Sequence, residues 1–300
     1  MKLALHLSTY NGSEFLPGLF ASLEAQTDQD WVLRIRDDGS GAEELAATKN
    51  IVGAYAERRN VDFAVGQNIG FSPSHQEMYA GHDEELVLLV NQDVIFTPTY
   101  IATVRRYMEE HTDVGAAAGT ILRWNWDNAH QPRFTKVIDS MGMAKTRSHK
   151  VYDIASGVTL EACTAQRVPV FGISGCLPMY RRAAIGTQLF DPSYFMYKED
   201  VDVAYRLQKT GWKSARVFGT VAYHFRTFQS SKLHIGVSAR FQELSYRNHW
   251  RNLLKHLSWR DWLRDGWAII PFEVAKAGFF LFTNPGILWR TLRYVSLRPV

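Results

Sequence analysis

Residues 88–96, LLVNQDVIF, decide how this chain is read. Leu88, Leu89 and Val90 have the unbroken apolar character of a strand covered on both faces. Asn91, Gln92 and Asp93 interrupt it, and Val94-Ile95-Phe96 resumes it. A carboxylate at the tip of a buried strand is costly to desolvate unless a cation, a donor or water meets it. A turn or cap also places aspartate at strand ends, so the meaning of Asp93 depends on what surrounds it.

Upstream, strand-like and helical patterns alternate: KLALHLST (2–9), helical FLPGLFASLEAQ (15–26), WVLRIRDDGS (31–40), helical AEELAATKNIVGAYAERR (42–59), VDFAVG (61–66), helical SPSHQEMYAGH (72–82), then ELVLLVN (85–91). This order predicts βαβ units and an α/β fold, a Rossmann-like, mostly parallel sheet flanked by helices. Ligands of such sheets sit beyond the carboxyl ends of the strands. There the polar punctuation falls: Thr9-Tyr10-Asn11, Asp37-Asp38-Gly39-Ser40 and Asn91-Gln92-Asp93. After the helix 98–112, short strands and polar loops run from GAAAGTILRWNWDN (115–128) to VPVFGISGCLPMYRRAAI (168–185) and are expected to complete the sheet and line an acceptor cleft. From about residue 238 the pattern is helical. The expected division is a catalytic domain over 1–237, with a nucleotide-binding half (1–100) and an acceptor-binding half (101–237), followed by a C-terminal helical appendage over 238–300.

The net charge of +4 is modest, but Arg240 to Arg264 holds five arginines, Arg290, Arg293 and Arg298 follow, and carboxylates are sparse after Glu243. That end points toward an anionic partner. Cys163 and Cys176 have neither disulfide-framework nor metal-ligand spacing and read as buried thiols in a reducing cytosol. MKLALHLSTYNG is too short in its apolar run for a signal peptide and reads as the first strand. GWAIIPFEVAKAGFFLFT (266–283) is interrupted by Pro271, Glu273 and Lys276, so it reads as a segment that lies on a membrane without crossing it.

Four further stretches carry chemistry, each with a structural alternative. RDDGSG (36–41) sets two carboxylates in a glycine turn, either as a turn and helix cap or to accept the imide N–H of a uracil or thymine ring beside Thr9, Tyr10 and Asn11. In SYFMYKEDVDVAYRLQKTGWK (193–213), Glu199, Asp200 and Asp202 open a helix. The macrodipole favours acids there, but Tyr194, Phe195 and Tyr197 just before them would raise a carboxylate toward the pKa of a useful general base. FGISGCLPMYRRAAI (171–185) has Gly172 and Gly175 spaced for close backbone approach, with Arg181-Arg182 opening a helix. His224, in VAYHFRTFQSS (221–231), is either a structural histidine or a second metal ligand beside Asp93.

Together these pieces resemble the inverting glycosyltransferases of family 2, with the GT-A fold, and within them the bacterial rhamnosyltransferase-like group. STYNGSEFLPGLFASLEAQT with RDDGSG, GQNIGFSPSHQ, NQDVIF, GISGCLPMYRRAAI, YFMYKEDVDVAYRLQKTGWK and HFRTFQSS run in family order over roughly residues 1–230. The resemblance implies that Asp38 and Asp37 contact the base with Thr9, Tyr10 and Asn11, that Gln92 touches the donor, and that Asp93, the final acid of an Asp-X-Asp motif here reduced to NQD, binds Mg2+ or Mn2+ with His224. It implies that Asp200 is the catalytic base, that Glu199 or Asp202 positions it or the acceptor, and that Gly175 and Arg181 lie on the substrate side. The Gln-X-X-Arg-Trp signature of processive synthases is absent, which implies addition of one or a few sugars.

The QDV version of the motif and SYRNHWRNLLKH (245–256) look most like rhamnosyltransferases using dTDP-β-L-rhamnose; a UDP-sugar donor is the alternative. The expected acceptor is a saccharide or a polyprenyl-diphosphate-linked saccharide of the cell surface. The expected location is the cytoplasm, at the inner face of the membrane if the aromatic and basic tail (247–270) lies at a lipid interface. Nothing resembles a nucleic-acid-binding module. A nucleotidyltransferase would show a glycine-rich basic phosphate loop, which LSTYNGSEF is not. A non-catalytic nucleotide- or sugar-binding module would not need Asp38, Asp93 and Asp200 together.

Overall fold

The computed structural model describes residues 1–165, 168–225 and 238–297. Leu86, Leu88 and Val90 join one hydrophobic cluster while Val87 and Leu89 join another, the two-residue alternation of a strand whose two faces are both covered. This strand, β4 (Leu86–Asn91), lies beside β1 (Leu3–Thr9), which pairs on its other side with β2 (Val32–Asp37), and β2 with β3 (Val61–Val65); all are parallel. Helices α1 (Leu16–Glu24), α2 (Ala42–Ala56) and α3 (Phe71–Tyr79) make the crossovers. Leu16, Leu19, Phe20 and Leu23 of α1 press on one face of the sheet. α3 stops before the expected residue 82 because Ala80 is extended and Gly81 takes a φ of 80°.

The chain resumes after Asp93 as β5 (Val94–Phe96), which pairs with a distant strand rather than with β4. The remaining elements are α4 (Tyr100–Glu110), β6 (Val114–Trp126), β7 (Pro132–Ser140), β8 (Met143–Lys145), β9 (Val151–Asp153), β10 (Met179–Arg181), α5 (Arg182–Ile185), α6 (Glu199–Lys209) and β11 (Lys213–Phe225). Among the described residues the sheet order is β3-β2-β1-β4-β10-β6-β11-β5, with β7 on β6 and a separate β8–β9 ribbon. β10 is antiparallel to both β4 and β6, whereas β11 is parallel to β6. The register pairs Thr9 with Asp37 and Ser8 with Asn91, so the polar tips of β1, β2 and β4 share one edge.

Three helices follow: α7 (Ala239–His256), α8 (Trp259–Thr283) and α9 (Pro285–Leu297). Ser258 and Asp261 form a reciprocal capping box at the start of α8, satisfying amides that the first helical turn leaves free. By length and composition alone, α8 could cross a membrane. Its faces are unlike, however: Asp265, Ile269, Glu273 and Phe280 are buried, while Trp259, Leu263, Trp267, Ile270 and Val274 are exposed.

Candidate active site

Three loops are tied together at the sheet edge. Gln92 Oε1 accepts from Thr9 Oγ1 (2.7 Å) and Tyr10 N–H (3.0 Å), joining the β4 tip to the β1 tip. Gly12 is required for this approach, since a Cβ there would fall 2.1 Å from Gln92 Nε2. Asn11, at φ 44°, accepts from Gly41 N–H (2.9 Å) and donates its own N–H to Ser40 Oγ (2.9 Å), joining β1 to the turn after β2. The two adjacent aspartates play different parts. Asp38 is engaged by Arg36 (2.5 Å) and by the amides of Ile69 (3.0 Å) and Gly70 (2.8 Å). Asp37 uses Oδ1 to cap Gly39 and Ser40 (3.1 and 2.9 Å), and its buried Oδ2 has no partner among the described residues. Of the pair, Asp37 is the one with an acceptor to spare. Tyr10 is exposed beside them.

Past the β4 tip, β11 brings His224 to Asp93. His224 Nδ1 lies 2.8 Å from Asp139 Oδ2, and its Nε2 lies 3.4 Å from both Asp93 Oδ1 and Asn91 Nδ2. Burial opposes charge on His224, but Asp93 and Asp139 outweigh it and hold its pKa well above the usual histidine value. Oδ1 of Asp93 and Oδ1 of Asn91 are buried without a hydrogen bond among the described residues. Asn91 Oδ1 has no hydrogen bond and Asp93 Oδ1 meets the His224 imidazole at 3.4 Å; a divalent cation completed by diphosphate oxygens would fit these groups by displacing the Nε2 proton of His224, whose far nitrogen is pinned by Asp139. No cluster of three or more His, Cys, Asp or Glu forms a metal cage among the described residues, so the fit is to a shared ion and not to an all-protein site.

The acidic pair lies close by. Asn91 N–H donates to Cys176 O (3.3 Å), and the neighbouring Gly175 N–H donates to Asp200 Oδ2 (3.0 Å) while Val201 N–H donates to Oδ1 (2.8 Å). Glu199 is buried and its Oε2 has no partner among the described residues. Burial, then the charge of Asp200, pushes the Glu199 carboxyl up to about 8. Burial raises Asp200 as well, against Lys198 and the amides of Gly175 and Val201. Two adjacent carboxylates of raised pKa, one buried and one half-buried, share their protons as one system, and a carboxylate of raised pKa is suited to taking a proton from a hydroxyl.

Asp202 faces the other way. Burial disfavours its charge, but His256 (2.7 Å), Lys255 (2.7 Å) and Arg206 (3.0 Å) hold it well below the usual carboxylate range. Arg181 is separated from the site altogether: it pairs with Leu86 at the amino end of β4, and its guanidinium is bound to the carbonyls of Val114 (2.9 Å), His111 (3.1 Å) and Met108. In place of the substrate contact expected of it, Arg181 seals the opposite end of the sheet, because β10 runs antiparallel and carries its last residue away from the strand tips. Arg226 to Ser231, the rest of the motif after His224, lie outside the described residues.

The structure adds residues that sequence reading missed. Asp139 pins His224 from β7, 85 residues away in the chain, which no local pattern announces. Asn248, Asn252 and His256 recur every four residues along α7 and are all buried; uncharged polar residues repeated at helical spacing along one face, between arginines and lysine, are the signal that could have found them.

Residues 5–185 match the family model described as glycosyl transferase family 2. A curated N-acetylglucosaminyl-diphospho-decaprenol L-rhamnosyltransferase of Mycobacterium tuberculosis is 40% identical over 65 residues, 21% of this chain and 21% of that protein, so the match spans about a fifth of the relative. Among solved structures, GalNAc-T7 with UDP, GalNAc and Mn2+ aligns over 81% of this chain and 48% of its own at 14% identity and TM-score 0.59. The mannosyltransferase PcManGT of Pyrobaculum calidifontis, with GDP-Man and Mn2+, aligns over 99% and 74% at 11% identity and TM-score 0.56. S. aureus TarS aligns over 87% and 50% at 14% identity and TM-score 0.53. At such identities the likeness is one of fold, and the fold is the GT-A type expected from the sequence.

Proposed function

The chain belongs to glycosyl transferase family 2, and from that premise we propose that it moves a sugar, L-rhamnose from dTDP-β-L-rhamnose, onto a hydroxyl of a saccharide or lipid-linked saccharide with inversion at the anomeric carbon. The observation that carries the reading is the pair of the buried Glu199 and the half-buried Asp200, anchored by Gly175 N–H and linked through Cys176 to the β4 tip that bears Asp93. Asp200 takes the acceptor proton. The acceptor oxygen bonds to the anomeric carbon as the bond to the diphosphate breaks on the opposite face. Thr9, Tyr10, Asn11, Asp37 and Gln92 form the edge that receives the nucleotide, and Asp38 braces that edge from below. Asp93 and His224 would hold Mg2+ or Mn2+, which supplies charge neutralisation to the diphosphate.

The 65-residue likeness to a rhamnosyltransferase supports the donor, and a UDP-sugar is the alternative, a UDP-bound relative sharing the fold. The helices from residue 238 onward support a place on the cytoplasmic face of a membrane. Residues 238–300 carry ten Lys and Arg against four Asp and Glu, a net of +6, and an apolar outer face with Trp259, Trp267, Trp289 and Phe282 exposed. An anionic bilayer matches both features, and a lipid-linked acceptor would be met there.

Calorimetric titration with dTDP, UDP and GDP, each with and without Mn2+, tests the reading. Metal-dependent preference for dTDP is the expected result. Preference for UDP replaces the donor, and no binding to any of the three overturns the transferase function.

A further inference from the structure

The turn that launches α6 is backbone-strained. Phe195, Tyr197 and Lys198, none of them glycine, have φ of 58°, 68° and 70°, a region that L side chains avoid. Such a turn persists only where its surroundings over-determine it. Two residues of α7 do so from one face. The Asn248 amide nitrogen lies 2.9 Å from Tyr194 O, 3.0 Å from Met196 O and 2.8 Å from Tyr197 O, so its two protons serve three carbonyls. One helical turn on, Asn252 donates to Lys198 O (2.9 Å) and accepts from the Tyr194 hydroxyl (2.6 Å). A further turn on, His256 meets Asp202. From the other side, Ser72 N–H donates to Phe195 O (3.0 Å), and Gly70, bonded to Asp38, packs against Phe195.

We infer that Asn248 and Asn252 are positioning residues for the acidic pair, deepening the proposed function and resting on it. Each carbonyl they hold belongs to residues 194–198, and Glu199 and Asp200 come next in the chain. Without these donors the turn relaxes toward ordinary φ, the first turn of α6 rotates, and Asp200 leaves the Gly175 amide. The C-terminal helices are thereby part of the catalytic apparatus, acting through the strained turn and not through contact with the sugar. The choice of asparagine follows: a carboxylate offers no donor, and a lysine or arginine would put a buried charge beside Lys198.

The test uses the full chain with Asn248→Leu and Asn252→Asp. The first keeps the volume and removes the donors. The second keeps an acceptor for Tyr194 and removes the donor to Lys198. Amide hydrogen exchange over 195–201 is read together with dTDP affinity and with nucleotide release from dTDP-β-L-rhamnose or a UDP-sugar, water serving as acceptor. The expected result is exchange over 195–201 faster by about tenfold or more, kcat lower by about tenfold or more, and dTDP affinity within about twofold of the parent. Unchanged exchange in both variants overturns the clamp. Faster exchange with unchanged kcat overturns the positioning role. If Asn248→Leu does not fold, Asn252→Asp decides alone. A parent chain that releases no nucleotide from any donor removes the function and with it the positioning role, while exchange still judges the clamp.

Discussion

The parallel sheet and the C-terminal helices solve burial in opposite ways. The sheet encloses Leu5, Leu7, Leu88 and Val90 and places Thr9, Asp37 and Asn91 at the strand tips. Among its buried polar side chains are Arg34, paired with Glu84, and His6, which lies against His75 with ring centroids 6.5 Å apart and, like it, has its pKa lowered by burial. The helices do the reverse. They bury Asn248, His249, Asn252, His256, Asp265 and Glu273 and expose Trp259, Leu263, Trp267, Ile270, Trp289 and Phe282. Their buried groups are matched in pairs: His249 with Glu273 at 2.7 Å, His149 with Asp265 at 3.2 Å, His256 with Asp202 at 2.7 Å. A hydrophobic core stabilises without direction, whereas buried hydrogen bonds specify one geometry. The contrast shows the helices committing buried polar groups to hydrogen bonds, among them those to the turn before the acidic pair, while leaving an apolar face exposed.

The contrast can be broken in several ways. Asp200→Asn should lower transfer by about 10³-fold or more while dTDP affinity stays within a few fold; near-parental turnover would remove the base from this site. Leu88→Ala should cost roughly 2–5 kcal/mol by denaturant unfolding, against a change within about 0.5 kcal/mol for Trp267→Ser. Equal losses would mean that the outer face of α8 is packed in solution. Replacing Trp259, Trp267 and Trp289 together by Ser should weaken partitioning onto phosphatidylglycerol-containing vesicles by about tenfold or more, with activity on a soluble acceptor retained; unchanged partitioning would remove the membrane from the reading.

The smallest effect is in the pH profile. A carboxylate base works only when ionised, so the rate should climb as pH rises through the raised pKa of the Glu199–Asp200 pair and fall on acidification. Lys198 and Asp202 from the same helix, Tyr180 from β10 and the Gly175 amide surround the pair. Burial and the charge of Asp200 push Glu199 up to about 8, so Glu199 is uncharged while Asp200 ionises, and Glu199→Gln should leave the acid limb within about half a unit of the parent's. A limb displaced by a unit or more would mean that Glu199 is the carboxyl that ionises first.

Much of the architecture was legible because it is written at short range. The apolar runs and the helical repeats of the first hundred residues place β1 to β4 and α1 to α3 within a few residues of their ends, since side-chain period is a local property. The polar strand tips were legible for the same reason. What failed was anything set by strand direction: Arg181 follows the glycine-rich stretch closely in sequence, yet the antiparallel β10 takes it to the far end of the sheet. Asp37 and Asp38 are adjacent and chemically alike in sequence, and only Arg36, Ile69 and Gly70 distinguish them.

By itself the sequence determined the parallel strands β1 to β4 and the family, because periodicity and motif spacing reside in neighbouring residues. Tertiary structure alone decided which acids are free and which are bound. It brought Asp139 to His224 across 85 positions, assigned Asp202 to Lys255, Arg206 and the His256 imidazole, and set Asn248 and Asn252 against a turn whose carbonyls lie 54 residues upstream. The physical reason is that pKa, strain and desolvation depend on what surrounds a group in space, and those surroundings come from segments far apart in the chain.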